Sequence, residues 1–267
     1  GVASISQAQV VSDGKKGEYY VVKIDKPGRP SADIIAEVVP AVAQKFPWPK
    51  SMRWGSGTFQ WVRPLQSVLC LLGGKVVPFE IAGIVSGNTT KGHRFHGNRH
   101  FTVENFADYE GKLATHKVIL DPVKRASAIA EQARAIAKDA KLALVEDEAL
   151  LAENAGLTEW PTVLMGTFEE AFLAVPAECL MLSMKQHQKC FSLKAPRTGR
   201  LANRFLLVSN LIASDGGAEI IAGNEKVIRA RLSDAKFFWE QDLKKPLDEM
   251  AASLASITFH EKLGTQK

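Results

Sequence analysis

One stretch of the chain, residues 86–97 with the sequence SGNTTKGHRFHG, concentrates side chains that can donate hydrogen bonds to an anion. Lysine, arginine, histidine and threonine can all donate to phosphate or sugar oxygens. The glycines at 87, 92 and 97 allow left-handed backbone or a close approach of the backbone to other groups. The candidate contacts in this stretch are Thr89, Thr90, Lys91, His93 and Arg94. The pattern predicts an anion-binding loop, and a solvated hairpin loop whose histidines cap backbone groups is the alternative.

Two helices in the second half carry further candidate cations. Lys185 and His187 stand near the end of a helix that Pro176 opens, where cations also complement the helix dipole. Arg229 and Lys236 share one side of a later helix. The competing interpretation is stabilisation of the helix dipole for the first pair and an ordinary solvated helix face for the second.

Catalytic and metal-binding patterns in the sequence are weak. His93, His96 and His100 do not have the i, i+4 spacing of helical metal ligands, and no carboxylate lies in their loop. Cys190 follows His187 by three residues, but a packing role in an apolar environment suits this cysteine better than a nucleophilic one. Dinucleotide, P-loop and Gly-x-Ser-x-Gly motifs are absent from the sequence. We therefore predict no catalytic residue, no metal ligand and no cofactor site in this chain.

Composition places the 267 residues among ordinary globular domains, with 46% hydrophobic and 24% charged residues. The net charge of +5 mildly favours an anionic partner. Three cysteines without a Cys-x-x-Cys pair favour a reducing compartment, and we expect a cytoplasmic protein. No apolar run reaches the roughly 20 residues of a membrane span. Because the chain starts at Gly1 and a helical pattern runs to its end, we expect a segment of a longer polypeptide.

The first half predicts several strands and one helix. Residues 18–24 are β-prone, and apolar spacing after an N-cap at Ser31 predicts a helix with a buried face. Residues 58–63 alternate like a strand, and two β-prone runs joined by Gly73-Gly74 predict a hairpin. Residues 81–85 predict a strand that leads into the anion-binding loop.

The second half predicts helices alternating with strands. Asp121-Pro122 marks the start of a helix whose apolar face carries Ile129 and Ala133. Strands are predicted near 162–168, 191–193 and 205–209. A long helix capped by Asn224 should bury Ile228, Leu232, Ala235, Phe238 and Trp239. Another helix, opened by Pro246, should continue to the chain end. The fold class is α+β, with mixed, mainly antiparallel sheets and packing helices.

Eight strings, in order along the chain, resemble the β subunit of bacterial glycyl-tRNA synthetase. They are residues 52–55 (MRWG), 59–64 (FQWVRP), 89–95 (TTKGHRF), 159–161 (EWP), 184–191 (MKQHQKCF), 205–210 (FLLVSN), 223–239 (GNEKVIRARLSDAKFFW) and 261–265 (EKLGT). Each string is short, but their shared order covers nearly the whole chain. The resemblance turns the candidate anion contacts into candidate RNA contacts.

The resemblance also implies an architecture. Residues 1–240 should be similar to the editing domain of the β subunit of phenylalanyl-tRNA synthetase. Sub-lobes at 1–120 and 157–240 would be joined by helices over 121–156. Residues 241–267 should begin a following helical domain.

The function that the resemblance implies is accessory. In this family, an α2β2 enzyme attaches glycine to tRNA(Gly) using ATP with magnesium, and the α subunit carries the aminoacylation site. The present chain would then bind and position tRNA and support subunit assembly. The alternatives are a hydrolytic editing domain and a purely structural module. Because no natural amino acid is smaller than glycine, larger competitors can be excluded sterically, and this argues against editing.

Overall fold

A computed structural model of the chain describes residues 4–14 and 17–265. The fold divides into two compact units, Gly1–Thr89 (unit 1) and Thr90–Lys267 (unit 2). The described residues of unit 1 form a 3-10 helix over Ile5–Gln7, one α-helix and seven short strands: β1 Gln9–Asp13, β2 Gly17–Val21, α1 Ser31–Gln44, β3 Val68–Leu69, β4 Leu71–Leu72, β5 Lys75–Val76, β6 Glu80–Ile81 and β7 Ile84–Gly87. These strands form the antiparallel pairs β1–β2 and β4–β5 and a three-stranded sheet in the order β3-β7-β6.

Two hairpins in unit 1 depend on left-handed turn residues. The predicted hairpin is confirmed, because Gly73 and Gly74 have φ of 57° and 76° between β4 and β5. The expectation of one strand over 81–85 is wrong. Ala82 and Gly83 have φ of 52° and 81°, so the chain reverses and β6 pairs with β7.

The alternating residues 58–63 do not form a strand either. Their only ladder contact is a single bridge between Met52 and Trp61. The aromatic rings of this region pack on one another instead, with Trp61 in contact with Phe46, Trp48 and Phe59. The alternation of side-chain types over residues 58–63 is therefore explained by packing in this aromatic cluster and not by a strand.

The predicted helix after Pro30 is present as α1, but its details differ from the prediction. Pro30, not Ser31, occupies the N-cap position. Only Ala43 of this helix is buried, whereas the apolar side chains of Ile34, Val38 and Val42 are exposed.

Unit 2 contains the larger elements. Its helices are α2 Phe106–Thr115, α3 Pro122–Asp139, α4 Glu148–Leu157, α5 Ala177–Gln188, α6 Ala218–Asp242 and α7 Leu247–Ala251. Its strands are β8 Thr89–Lys91, which contains the boundary between the units, β9 His100–Thr102, β10 Ala143–Leu144, β11 Thr162–Thr167, β12 Phe191–Lys194, β13 Leu201–Ser209, β14 Thr258–His260 and β15 Gly264–Thr265. β10, β12, β13 and β11 form an antiparallel sheet in that order. The α+β class is confirmed.

Helices cover both faces of this sheet. On β13, Phe205 and Leu207 join a core with α5 and α6, while Leu206 joins a core with α3 and α4. Gly166 of β11 is required here, because a Cβ at this position would lie 2.5 Å from Cζ of Phe205. Because successive side chains of β13 point to opposite faces, this strand packs against two helices on each face of the sheet.

The start of α3 is as predicted, with Asp121 accepting a hydrogen bond from the Val123 amide at 2.8 Å. Ile129 and Ala133 are buried on its apolar face. Arg125 ties the start of this helix to two other segments, because its guanidinium donates to the carbonyls of Ile119, Leu120 and Ala155.

The last part of the chain differs more from the prediction. α6 begins at Ala218, and the Asp215 carboxylate accepts from the Gly217 and Glu219 amides, whereas Asn224 lies inside the helix. Ile228 and Leu232 are buried as expected, but Phe238 is exposed. α7 ends at Ala251, a 3-10 helix follows over Ala252–Ser256, and β14 and β15 then stand where a continuing helix was expected. Among the described residues, no helix combines the length and apolar character that crossing a membrane requires.

Candidate nucleic-acid interface

The predicted anion-binding loop, residues 86–97, is a loop only in part, because residues 86–87 end β7 and residues 89–91 form β8. Residues 92–97, which we call the 92–97 loop, lie in the connection from β8 to β9 and are closed by short backbone contacts. The Gly97 amide donates to the His93 carbonyl at 2.8 Å, and the His93 amide donates to the His116 carbonyl at 2.9 Å. A Cβ on either Gly92 or Gly97 would lie 2.2 Å from an atom of His116. These two glycines therefore allow the loop to pack directly against the end of α2.

His93 is the interior support of this loop. Its side chain is only 1% exposed. Its Nε2 lies 2.7 Å from the Asn210 carbonyl oxygen, and its Nδ1 accepts from the amides of Phe95 and His96 at 3.1 and 3.2 Å. A neutral ring protonated on Nε2 satisfies all three contacts. His93 thus fixes the loop and presents no free donor to solvent, which does not fit direct contact with RNA.

Asn210, directly after β13, links the loop to the segment that precedes β11. Its side-chain oxygen accepts from the amides of Glu159 and Trp160, both at 2.9 Å. The ring of His96 extends the same contact region, because its Nε2 accepts from the Ile212 amide at 3.0 Å. We call His93, His96, His116 and Asn210 the His93 junction. Through His93, Asn210 and the amides of Glu159 and Trp160, the junction connects three of the strings that carry the family resemblance, 89–95, 205–210 and 159–161.

Three exposed residues, Lys91 at the end of β8 and Arg94 and Phe95 in the loop, form a cationic and aromatic set that we call the tip. Lys91 and Arg94 are exposed, and Phe95 is 70% exposed. The Arg94 guanidinium carbon lies 5.6 Å from the centroid of the Phe95 ring, a cation–π distance. Neither cation has a carboxylate within 4.0 Å among the described residues. An exposed aromatic ring can stack on a base, and exposed cations can contact phosphates.

The two threonines of the candidate set precede the loop. Thr89 is exposed and Thr90 is half-buried in β8. Within residues 4–14 and 17–265, neither hydroxyl makes a hydrogen bond to protein. Both remain able to contact a ligand.

The other candidate cations are dispersed, and most are paired. Lys185 Nζ lies 2.5 Å from Asp147 Oδ2, and Arg229 Nε contacts the Glu169 carboxylate. Lys236 Nζ lies 3.9 Å from Glu240 Oε1. His187 is exposed near the end of α5. Their carboxylate partners reduce the charge that the three cations can offer to RNA.

The cysteine chemistry considered from the sequence is not supported at Cys190. This side chain is 1% exposed, and burial raises the pKa of its thiol to about 12. It is therefore protonated at neutral pH and packs in the core between the sheet and α5. In the described part of the chain, no group of three or more His, Cys, Asp or Glu side chains is arranged to hold a metal ion.

Sequence patterns missed two features of the surface near the junction. Phe95 lies in the TTKGHRF string, but its exposure could not be inferred from that string. Lys117 follows α2 with φ of 60°, and its Nζ lies 4.8 Å from the centroid of the Trp160 ring. No local signal pairs residues that are 43 positions apart, so this contact was not predicted.

Comparison with known proteins gives a consistent result. A family model described as glycyl-tRNA synthetase beta subunit matches residues 2–267. The glycine–tRNA ligase beta subunit of Ruegeria sp. (strain TM1040) is 52% identical in an alignment of 263 residues that covers 95% of this chain. The chain spans 38% of the length of that relative. This chain belongs to the glycyl-tRNA synthetase beta subunit family.

Proposed function

We propose that this chain contributes tRNA binding and subunit assembly to a glycine–tRNA ligase. The whole enzyme would join glycine to tRNA(Gly) using ATP with magnesium, with aminoacylation on the α subunit of a cytoplasmic α2β2 assembly. The family membership supports the reaction. The observation that supports this chain's role is the exposed tip of Lys91, Arg94 and Phe95. The buried His93 holds the loop backbone through its hydrogen bonds.

The tip suits RNA for physical reasons. Most contacts to a nucleic-acid backbone come from arginine, lysine and small polar side chains. Thr89 and Thr90 precede the tip, and their hydroxyls make no hydrogen bond to the residues that the structure describes. An exposed aromatic ring adds a face on which an unpaired base stacks, contributing about 1–3 kcal/mol per base. Because His93 and Asn210 hold the loop, little conformational entropy should be lost when RNA binds.

The test is aminoacylation by the full-length β subunit reconstituted with its α subunit. Replacing Arg94 and Phe95 together with alanine should raise KM for tRNA and leave kcat almost unchanged. Glycine-dependent exchange of pyrophosphate into ATP, which follows activation without tRNA, should be unaffected. Lys75→Ala, an exposed cation in β5, is the control. An unchanged KM for tRNA in the double variant would refute the assigned role.

The same protein can be tested for hydrolytic editing. Incubation with alanyl-tRNA(Gly) or seryl-tRNA(Gly) should release amino acid at the uncatalysed rate, because a pocket for glycine excludes larger side chains sterically. Rapid release that is lost in His187→Ala would support editing instead.

A further inference from the structure

A second cationic surface lies in unit 2 and shares no residue with the tip or the His93 junction. It is a concavity of about 820 Å³ between the C-terminal end of α3, strand β10 and the loop that joins β12 to β13. The charged groups that line it are Arg134, Lys138, Lys141, Arg197 and Glu146. Cations therefore outnumber carboxylates here by four to one.

Only one of these cations is neutralised within the described part of the chain. Arg134 Nε lies 2.9 Å from Glu146 Oε1, which holds the pKa of the arginine above its ordinary value. Lys138, Lys141 and Arg197 are exposed and have no carboxylate within 4.0 Å among the residues that the structure describes. Three positive charges thus face the concavity without a partner.

Lys141 occupies a position where glycine is usual. The Lys141 amide donates to the Lys138 carbonyl and the Leu142 amide to the Ala137 carbonyl, which ends α3 in a Schellman motif, and Lys141 itself has φ of 57°. Lys117 and Lys189 are also left-handed residues after helices. Each of those two has a partner, since Lys117 lies over the Trp160 ring and Lys189 Nζ is 2.8 Å from Glu153 Oε1. Lys141 has no such partner within residues 4–14 and 17–265.

The dipole of α3 explains the positions of two of these cations but not that of the third. Lysines in and just after the last turn of a helix stabilise its negative end, and this accounts for Lys138 and Lys141. Arg197 comes from a different element. Its loop is ordered by hydrogen bonds from the Ala195 amide to the Arg200 carbonyl and from the Gly199 amide to the Ala195 carbonyl, both 2.9 Å. Two independently ordered elements therefore direct cations to one concavity.

We propose that this concavity binds the phosphodiester backbone of an RNA strand. Lysine is depleted in protein–protein interfaces, whereas interfaces with nucleic acid are strongly positive, and two of the three unpaired cations are lysines. The apolar part of the lining, including Leu142, Leu144 and Pro196, can pack against ribose. The residues that line the concavity include no aromatic side chain, so binding should be independent of base sequence. The inference rests on the proposed function in taking RNA as the ligand.

Site-specific photo-crosslinking tests the inference in the full-length protein with tRNA(Gly). A photoreactive amino acid replaces Thr198, which lines the concavity, and in a separate variant it replaces Phe95 at the tip. The inference requires an RNA crosslink from position 198. A crosslink from 198 to protein and none to RNA would overturn it in favour of an acidic protein segment, and no crosslink would overturn it also. The crosslink from position 95 reports separately on the proposed function, so the two can fail independently.

A charge variant gives a second readout. Lys138→Gln with Arg197→Gln removes two cations and leaves the left-handed Lys141 in place. The slope of log K against log salt for tRNA binding should become less negative by about 2, or about 1 for each lost phosphate contact. Lys50→Gln with Lys75→Gln, two exposed cations of unit 1, is the matched control. A slope equal to that of the control would contradict the inference.

Discussion

Helices α1 and α3 carry similar apolar periodicity but differ in what covers their apolar sides. In α3, Ile129 is fully buried and Ala133 is 1% exposed, because the four-stranded sheet and α4 cover that face. In α1, Val38 and Val42 are 46% and 53% exposed. Periodicity identifies the apolar side of a helix, but burial requires a neighbouring layer. Unit 2 supplies one through strands of up to nine residues, whereas the described strands of unit 1 have two to five residues.

Truncation of one apolar side chain in each helix should give the largest difference. Ile129→Ala should destabilise unit 2 by about 2–5 kcal/mol, since it opens a cavity in a packed core. Val42→Ala should change stability by less than about 0.5 kcal/mol, because the side chain is already half in solvent. Hydrogen exchange measured separately for α3 and α1 during urea unfolding reports both values. Equal costs would show that α1 is as well covered as α3.

Glycine substitutions compare a closely packed position in unit 2 with an open position in unit 1. Gly97→Ala would place a Cβ 2.2 Å from the His116 carbonyl oxygen, so the loop or the end of α2 must move, at a cost of roughly 1–3 kcal/mol. Gly87→Ala in β7 is the control, because a Cβ added there would meet nothing within 4 Å and its φ is not left-handed. We expect faster exchange of the His93 amide in the first variant only. Unchanged protection of that amide would contradict the close packing at the His93 junction.

The ion pairs of the two units should differ by a smaller amount. Asp147 caps α4 through the Leu150 amide and contacts Lys185, whereas Arg29 and Glu37 pair in unit 1 with 58% and 64% of their side chains exposed. Asp147→Ala should cost about 1 kcal/mol at pH 7, as for loss of an N-cap, and Glu37→Ala close to nothing. Circular dichroism during thermal unfolding measures both.

The contribution of Asp147 should also depend on pH in a defined direction. The hydrogen bond from Lys185, and then that from the Leu150 amide, lower the pKa of Asp147 below its ordinary value. The stabilisation is therefore complete above the unfolded pKa of about 3.9 and is lost as pH falls through the lower folded value. Asp147→Asn keeps the capping oxygen but loses the charge, so its deficit relative to the native protein should shrink below about pH 4. A deficit that stays constant on acidification from neutral pH to below the folded pKa would contradict this.

Local sequence signals predicted the elements that depend on neighbouring residues. Asp121-Pro122 marked the start of α3, and Gly73-Gly74 indicated the β4–β5 hairpin, since a cap or a turn needs only a few adjacent residues. The burial of His93 depends on Asn210, which lies 117 positions away, so no local pattern could reveal it. The start of α6 was missed because the residues from Asp215 to Gly217 have the composition of a turn, although the Asp215 carboxylate caps the helix. The RNA-contact candidates as a set stay predictions.

Neighbouring residues of the 92–97 loop differ in burial, as the apolar residues of α3 and α1 do. His93 is enclosed and holds the backbone, while Arg94 and Phe95, its neighbours in sequence, project into solvent. We therefore propose a positioning role for His93 and RNA contact for the tip. Removing charge from the tip should leave folding unchanged, because exposed cations without partners contribute little to stability.

The most direct test of this assignment is the salt dependence of tRNA(Gly) binding by Lys91→Ala with Arg94→Ala in the full-length protein. We predict weaker binding, a slope of log K against log salt less negative by about 2, and an unchanged melting temperature. Lys50→Ala with Lys75→Ala removes the same charge from unit 1 and should leave the slope unchanged. A tip variant with the slope and affinity of the native protein would contradict the assignment of RNA contact to the tip.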